Sequence, residues 1–300
     1  MMKQVLFLVI LFLISCQKDI DFKLKSEFDS KIFIEGVLFP GEPPRIVVSS
    51  TLPFFSSMVT PQEVFISHAS VELFDGEMNY QLVPDSIFDK LRCRWNLYYT
   101  ADIRIQSGIE YTLRVEYENE TYYGTTKTNQ SIAEIEEVMY DPEFYDVYGG
   151  HDGVRVKVKD VPGQDNYYRF QMDRRIDNTR SHAHILEVLV NDCTSEGEIF
   201  PITDLGRSIY SDAGIDGKEI EMFVEVSFEY LEGDSATIYI QSLDSASASF
   251  FKDLDNQLQS IINPFVEPVF LHSNIKGAAG VFGSGVKSKP YLFVYPQDNP

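Results

Sequence analysis

The clearest pattern along the chain is an alternation of apolar and polar residues with a period of two. In residues 111–117, which read YTLRVEY, apolar side chains alternate with threonine, arginine and glutamate. Similar runs occupy residues 70–74 and 154–158, and turn-forming pairs such as Asp75-Gly76 separate the runs. Because successive side chains of a strand point to opposite faces, each run predicts a strand with one buried face. We therefore expect a mainly all-β protein.

Two consecutive series of these strands predict two domains. The first covers residues 31–130 and the second covers residues 131–300, with an acidic stretch that begins near Glu134 at the boundary. Short strands spaced over about one hundred residues are typical of immunoglobulin-like or fibronectin-like β-sandwiches. A chain of 300 residues is long enough for two such domains.

One segment near residues 245–262 follows a helical period instead. Asp244 or Ser245 can cap its start, and Asn263-Pro264 ends it. The apolar residues that share one face are Phe250, Phe251, Leu254, Leu258, Ile261 and Ile262. Polar and acidic residues fill the other faces, which favours an amphipathic helix packed on the second sandwich over one bound to an anionic membrane.

The first residues have the three parts of a secretory signal. Lys3 gives a positive start, residues 5–14 are all apolar, and Ser15 precedes Cys16. Ten apolar residues in a helix span roughly 15 Å, which is about half of a bilayer core and too short for a transmembrane helix. The segment resembles the bacterial lipobox, so residues 1–15 are predicted to be a signal peptide and Cys16 an acylated N-terminus. The alternative is an ordinary secretory signal with an incidental cysteine.

Charged residues follow Cys16 directly. Gln17, Lys18 and Asp19 resemble the surface-export tag of Bacteroidetes lipoproteins, in which a lysine and acidic residues come just after the cysteine. Residues 16–30 are then a lipidated tether. The predicted location is the outer membrane, with the body of the protein facing the cell exterior. A charged, solvated tether without an export role is the alternative.

Composition and charge narrow the possible partners. The chain is 44% hydrophobic and 24% charged, which indicates a folded globular protein. Its formal net charge is −21, which argues against a nucleic-acid partner because phosphate contacts need a basic surface. An acidic body also repels anionic lipid headgroups. The membrane is therefore expected to hold the protein through the lipid on Cys16.

Two cysteines remain besides Cys16. Cys93 and Cys193 could form a disulfide in an exported protein, but they lie one hundred residues apart, in different predicted domains. We favour an unbonded pair, with a disulfide as the alternative. The chain has no CxxC motif, so these cysteines do not suggest a metal site either.

Few residues are candidates for chemistry. His182 and His184 would share one face of a strand, as metal ligands can, but only Asp192 is near as a third ligand, and exposed histidines are favoured. Residues 211–218 resemble a calcium loop but lack the glutamate of an EF-hand, so a glycine-rich turn is favoured. The glycine-dense residues 277–285 lack the lysine of a P-loop and suggest close backbone packing. No catalytic motif is recognisable, and no cofactor is expected.

Short motifs in a fixed order, spread over nearly the whole chain behind Cys16, resemble one family. They are Phe33-Ile34-Glu35-Gly36, Gly41-Glu42-Pro43-Pro44, Ala69-Ser70-Val71, Asp75-Gly76, Gly108-Ile109-Glu110-Tyr111-Thr112-Leu113, Asn166-Tyr167-Tyr168, Ser211-Asp212, Asp216-Gly217-Lys218, Ser273-Asn274-Ile275-Lys276-Gly277 and Gly280-Val281-Phe282-Gly283. In these motifs the chain is similar to the Bacteroidetes outer-membrane lipoproteins of domain of unknown function 4249. The resemblance implies a lipoprotein encoded beside a TonB-dependent receptor. It carries over no catalytic or binding residue.

These observations favour a non-enzymatic surface lipoprotein that assists a TonB-dependent transporter in the capture or uptake of a nutrient. An adhesive or structural surface module built from the same domains is the alternative. A hydrolase is a third reading that no motif supports. The sequence does not identify the ligand, the residues that bind it or the interface with a receptor.

Overall fold

The computed structural model of the protein describes residues 29–53, 60–146, 149–177, 193–195, 197–225, 228, 230–262 and 269–295. Sixteen strands and two helices are assigned in this part of the chain. The strands are β1 (Ile32–Leu38), β2 (Val47–Ser50), β3 (Ser70–Phe74), β4 (Asn79–Asp89), β5 (Arg94–Thr100), β6 (Glu110–Tyr117), β7 (Glu120–Lys127), β8 (Glu134–Asp146), β9 (Gly149–Lys159), β10 (Tyr167–Asp177), β11 (Ile199–Leu205), β12 (Tyr210–Ser211), β13 (Glu219–Glu225), β14 (Ser235–Leu243), β15 (Ala279–Lys287) and β16 (Tyr291–Val294). The helices are α1 (Pro61–Val64) and α2 (Ser245–Ile262).

The predicted all-β class is confirmed. The runs with a period of two at residues 70–74, 111–117 and 154–158 all lie in strands, namely β3, β6 and β9. The segment with a helical period is α2, at the predicted bounds. Neither of the two helices in the described ranges is both long and apolar enough to cross a membrane.

The largest sheet has eight strands and contains both the first and the last strand of the described chain. Its strand order is β11-β10-β14-β15-β1-β2, with β12 paired to β10 and β16 paired to β14. β1 runs parallel to β15, and Ile34 lies opposite Gly280. A side-chain carbon at Gly280 would clash with the backbone carbonyl of Ile34, and φ at this glycine is +110°. The glycine-dense segment therefore allows the two strands to pair closely, as its composition suggests.

Two smaller sheets pack on the same face of the eight-stranded sheet. The five-stranded sheet, β5-β4-β3-β6-β7, covers the end near β1, where Val71 and Leu113 join Ile34 and Phe282 in one buried cluster. The three-stranded sheet, β13-β9-β8, covers the part formed by β10 and β14. The buried cluster between these two sheets contains Val156, Val158, Met222, Phe170, Ile238 and Ile240. Paired residues of neighbouring strands point to the same face, and the pairings β10–β14, β14–β15 and β15–β1 connect the two buried clusters without a change of face. Both clusters therefore lie on one side of the large sheet.

The fold is thus sandwich-type, and the two sandwiches share their large sheet. The division of the chain at residue 131 stays a prediction. Strands from both sides of that position belong to the eight-stranded sheet, because β1 and β2 pair beside β15. The predicted signal peptide of residues 1–15 and most of the predicted tether of residues 16–30 lie outside the described residues, which begin at residue 29.

Helix α2 covers the opposite face of the large sheet. Phe250 and Phe251 are buried there together with Leu243 and Val281. Asp244 caps the helix, because its Oδ1 accepts a hydrogen bond from the backbone N–H of Ser247 at 2.8 Å. This confirms one of the two predicted caps, and it anchors the helix directly behind β14.

The expectation that Cys93 and Cys193 are not bonded is wrong. They form a disulfide, with a Cα–Cα distance of 5.6 Å. The bond is possible because the long hairpin of β4 and β5 reaches across to the region before β11. Leu91 at its tip is buried with Ile176 and Phe200, side chains of the other sandwich. The sequence does not predict this contact, because the two cysteines are 100 residues apart and belong to different series of strands.

Candidate functional site

The predicted lipidation and export residues, Cys16, Gln17, Lys18 and Asp19, lie outside the described residues. The same holds for the weak metal candidates His182 and His184, which therefore stay predictions. Residues 211–218 do lie within the described ranges: Ser211 is the last residue of β12, and β13 starts at Glu219, directly after the segment. A turn directly before a strand is what the glycine-rich interpretation of this segment predicts.

An acidic group forms where this turn meets the end of β9. One carboxylate oxygen from each of Asp160, Asp212 and Asp216 lies within 4.8 Å of the others. Asp160 and Asp212 are buried, whereas Asp216 is exposed. Their proximity reflects the adjacent β9 and β13, in which Lys159 pairs with Glu219.

Hydrogen bonds within the protein occupy the oxygens of Asp160. Its Oδ1 accepts a hydrogen bond from the hydroxyl of Tyr168 at 2.6 Å and one from Nδ2 of Asn166 at 3.2 Å. Its Oδ2 accepts a hydrogen bond from the backbone N–H of Gly217 at 2.7 Å. Burial raises the pKa of Tyr168, and the hydrogen bond to Asp160 raises it further, so the hydroxyl stays a donor. The arrangement therefore braces two turns against β10.

A second feature is a pocket on the outer face of the five-stranded sheet, here called the outer-face pocket. Its volume is about 220 Å³. Its lining residues are Glu72, Phe74, Asn79, Thr112, Arg114 and Tyr123. All six lie on strands, so the hydrogen-bonded sheet itself fixes their positions.

Strand register explains why these residues meet. Arg114 of β6 pairs with Glu72 of β3 on one side and with Tyr123 of β7 on the other. In the next row, Thr112 pairs with Phe74. Side chains of paired residues project from the same face of a sheet. The short Thr112 therefore leaves a depression between longer neighbours.

Two aromatic rings stand at the borders of this depression. Phe74 is 37% exposed and Tyr123 is 44% exposed. They belong to β3 and β7, which flank β6, so their backbones are roughly 10 Å apart across the sheet. Large aromatic side chains on an outward sheet face offer apolar surface to a ligand.

Ion pairs fix the polar part of the outer-face pocket. The Nη1 atom of Arg114 lies 3.1 Å from Oε2 of Glu72, and its Nη2 atom donates a hydrogen bond to Oε1 of Glu116. Hydrogen bonds to Glu72 and Tyr123 raise the pKa of Arg114 above its usual value. One guanidinium faces two carboxylates, which gives this group a formal charge of −1. These contacts hold the guanidinium and the carboxylates in fixed positions beside the rings of Phe74 and Tyr123. Polar groups fixed in this way can form hydrogen bonds with a ligand in the pocket.

The sequence model of one family, described as a domain of unknown function (DUF4249), matches residues 17–290. The chain belongs to the DUF4249 family. The match confirms the family that the ordered motifs indicate, and it begins at the residue behind Cys16. Both the outer-face pocket and the Asp160 turn lie within the matched range of this family member. No curated protein matches the chain in sequence.

Sequence reasoning did not find the outer-face pocket. The alternation in residues 111–117 does place Thr112 and Arg114 on an exposed strand face. It could not show that β3 and β7 lie on the two sides of β6, since pairing partners are not encoded in the period of one strand. One sequence feature does point to the outer-face pocket. The alternation places the large aromatic Tyr123 on the solvent side of its strand.

Proposed function

We propose that the protein is an outer-membrane lipoprotein, anchored through Cys16, whose body faces the cell exterior. It acts there as a non-enzymatic accessory of a TonB-dependent transporter in the capture or uptake of a nutrient. The observation that carries this proposal is where the DUF4249 match begins. It starts at residue 17, directly behind the lipobox-like segment, so the predicted anchor leads straight into the part of the chain that belongs to the family. The resemblance to lipoproteins encoded beside TonB-dependent receptors supports the choice of partner.

The position of β1 supports a role at the end of a tether. β1 follows residues 16–30 and is an interior strand, paired with β15 on one side and with β2 on the other. Force on an anchored N-terminus would therefore act on two strand pairings of the largest sheet at once. An anchor attached to such a strand holds the whole body.

The charge of the protein supports an outward, solvated body. A formal net charge of −21 keeps the body away from anionic headgroups and in solution above the membrane. The outer-face pocket then opens to the medium from which a nutrient would be captured. Binding, rather than catalysis, is the activity that this shallow site supports.

Growth of a strain that lacks the gene tests the proposed role. We expect a growth defect on particular nutrients, restored by the full chain but not by a Cys16→Ser variant, because the variant would lose its lipid anchor. Palmitate labelling and protease treatment of intact cells show whether the variant has lost lipid and surface exposure. Unimpaired growth on every nutrient would refute the transport role.

An adhesive surface module is the second candidate. Exposed apolar side chains on the β4–β5 hairpin favour it: Val83, Ile87 and Trp95 are 56%, 48% and 46% exposed. Such side chains on a hairpin fastened by a disulfide could contact another surface. If the deletion strain grows normally on all nutrients but attaches poorly, this candidate replaces the first.

A further inference from the structure

We propose that the outer-face pocket binds one ring of a neutral saccharide. This assignment rests on the proposed capture role for the source of the sugar and deepens it by naming a substrate class. Binding itself is a property of the isolated chain. It can therefore be measured whether or not a receptor is found.

The size of the pocket limits the ligand to a small group. Its volume of about 220 Å³ is below the roughly 300–1,000 Å³ of pockets that enclose drug-sized molecules. The site is also an open depression on a sheet, so it can take one ring of a chain whose other units stay in solvent. The end or an inner unit of a glycan has this form.

The borders of the pocket match the apolar side of such a ring. A pyranose presents C–H groups on its faces and hydroxyl groups at its rim. Phe74 and Tyr123 are 37% and 44% exposed and offer apolar ring surface for the C–H groups. These rings stand on separate strands, so they can contact the ligand from two directions.

The polar groups of the pocket match the hydroxyl groups of the ring. Glu72 offers carboxylate oxygens as acceptors, and Asn79 and Thr112 each offer a donor and an acceptor. Arg114 holds Glu72 in place through the 3.1 Å contact between Nη1 and Oε2. Hydroxyl groups both donate and accept hydrogen bonds, so this mixed set can satisfy them.

Charge favours a neutral ligand over an ion. An anion would meet Glu72 in the pocket, Glu116 beside Arg114 and a body with a net charge of −21. A cation would have to displace the guanidinium of Arg114, which already pairs with both carboxylates. A neutral saccharide meets neither obstacle.

Saturation-transfer NMR on the full chain tests the assignment. The probes are maltohexaose, cellohexaose and mannohexaose as neutral sugars, oligogalacturonate as an anion and a glucosamine hexamer as a cation. We expect at least one neutral probe to bind with a Kd of about 1 mM or tighter, as befits a small open site. Tyr123→Ala and Phe74→Ala should each weaken binding about tenfold.

Phe223→Ala is the matched control. Phe223 is also a strand residue, 39% exposed, with the guanidinium of an arginine, Arg155, 4.8 Å from its ring centre, but it lies on the three-stranded sheet. Its loss should leave binding within about twofold. The assignment is overturned if no neutral probe binds, if a charged probe binds better, or if the control weakens binding as much as Tyr123→Ala. Receptor association is a separate measurement, so its failure would not be confused with any of these results.

Discussion

At the scale of single residues, Asp160 shows how one buried carboxylate organises a turn. Three hydrogen bonds, from Tyr168, Asn166 and Gly217, end on its two oxygens. Asp160→Ala would leave the buried hydroxyl of Tyr168 and the N–H of Gly217 without this acceptor. We expect the free energy of unfolding to fall by about 3 kcal/mol, because unpaired buried donors each cost about 1–3 kcal/mol. Urea denaturation measures the change.

Asp216→Ala provides the control for that measurement. Asp216 belongs to the same acidic group but is exposed, and it accepts one hydrogen bond, from the N–H of Gly163 at 2.8 Å. Its loss should cost no more than about 1 kcal/mol. Equal losses in the two variants would contradict the role assigned to Asp160.

Glu35 gives the protein a pH dependence of known sign. It lies on β1 on the side of α2, where burial raises its pKa above 4.5 and the charge of Arg169 lowers it by less. Between pH 4.5 and the higher pKa of the folded state, Glu35 holds its proton in the folded protein but loses it in the unfolded chain. The contribution of Glu35 to the free energy of unfolding therefore falls as the pH rises. Glu35→Gln should therefore raise the thermal midpoint at pH 7 and leave it nearly unchanged at pH 3. A gain of equal size at both values would contradict this.

The alternation of apolar and polar residues predicts which side chains are exposed, but it does not predict which side chains lie close together. The alternation around Arg114 correctly places this residue on an exposed face. The ion pair with Glu72 depends on which strand lies beside β6, and a strand's own period carries no such information. For the same reason the sequence predicts the glycine-rich turn at residues 211–218 but not the acidic group that the turn forms with Asp160.

At the scale of elements, the disulfide fastens the β4–β5 hairpin to the other sandwich. It closes a separation of 100 residues. In the chain-entropy description a loop of this length contributes about 4–5 kcal/mol, so Cys93→Ser should lower the free energy of unfolding by about 4 kcal/mol. Urea denaturation of the purified variant measures the loss.

Lys90→Ala is the control at the same hairpin. It removes the ion pair between Lys90 and Glu198, in which both side chains are substantially exposed. Exposed pairs contribute at most about 1 kcal/mol, so this variant should stay close to the unmodified protein. If Cys93→Ser lost no more than Lys90→Ala, the disulfide would not be the element that stabilises the hairpin.

Elements were predicted better than their pairing. The strands of residues 70–74, 111–117 and 154–158 and the helix of residues 245–262 follow from local periodicity, which needs no long-range information. The parallel pairing of β1 with β15 joins residues about 245 positions apart and needs the close approach at Gly280. Only the glycine density of residues 277–285 gave a sign of it. The contact between the two cysteines was missed for the same reason.

At the scale of the whole molecule, the shared sheet predicts a single cooperative unfolding transition. Both sandwiches use the eight-stranded sheet, so neither can unfold without exposing the core of the other. Trp95, the only tryptophan, reports on the hairpin by fluorescence, and hydrogen exchange of β9 and β13 reports on the three-stranded sheet. Their urea midpoints should coincide. Midpoints that differ clearly would show two independent domains, as the division at residue 131 suggests.

We propose an outer-membrane location and a TonB-dependent receptor partner for this body. Affinity isolation of the tagged full chain from native outer membranes, in mild detergent, tests both. The Cys16→Ser variant serves as the control that lacks the proposed anchor. We expect a TonB-dependent β-barrel receptor to co-purify with the full chain and to be lost with the variant. Recovery of the full chain from outer membranes without any such receptor would contradict this expectation.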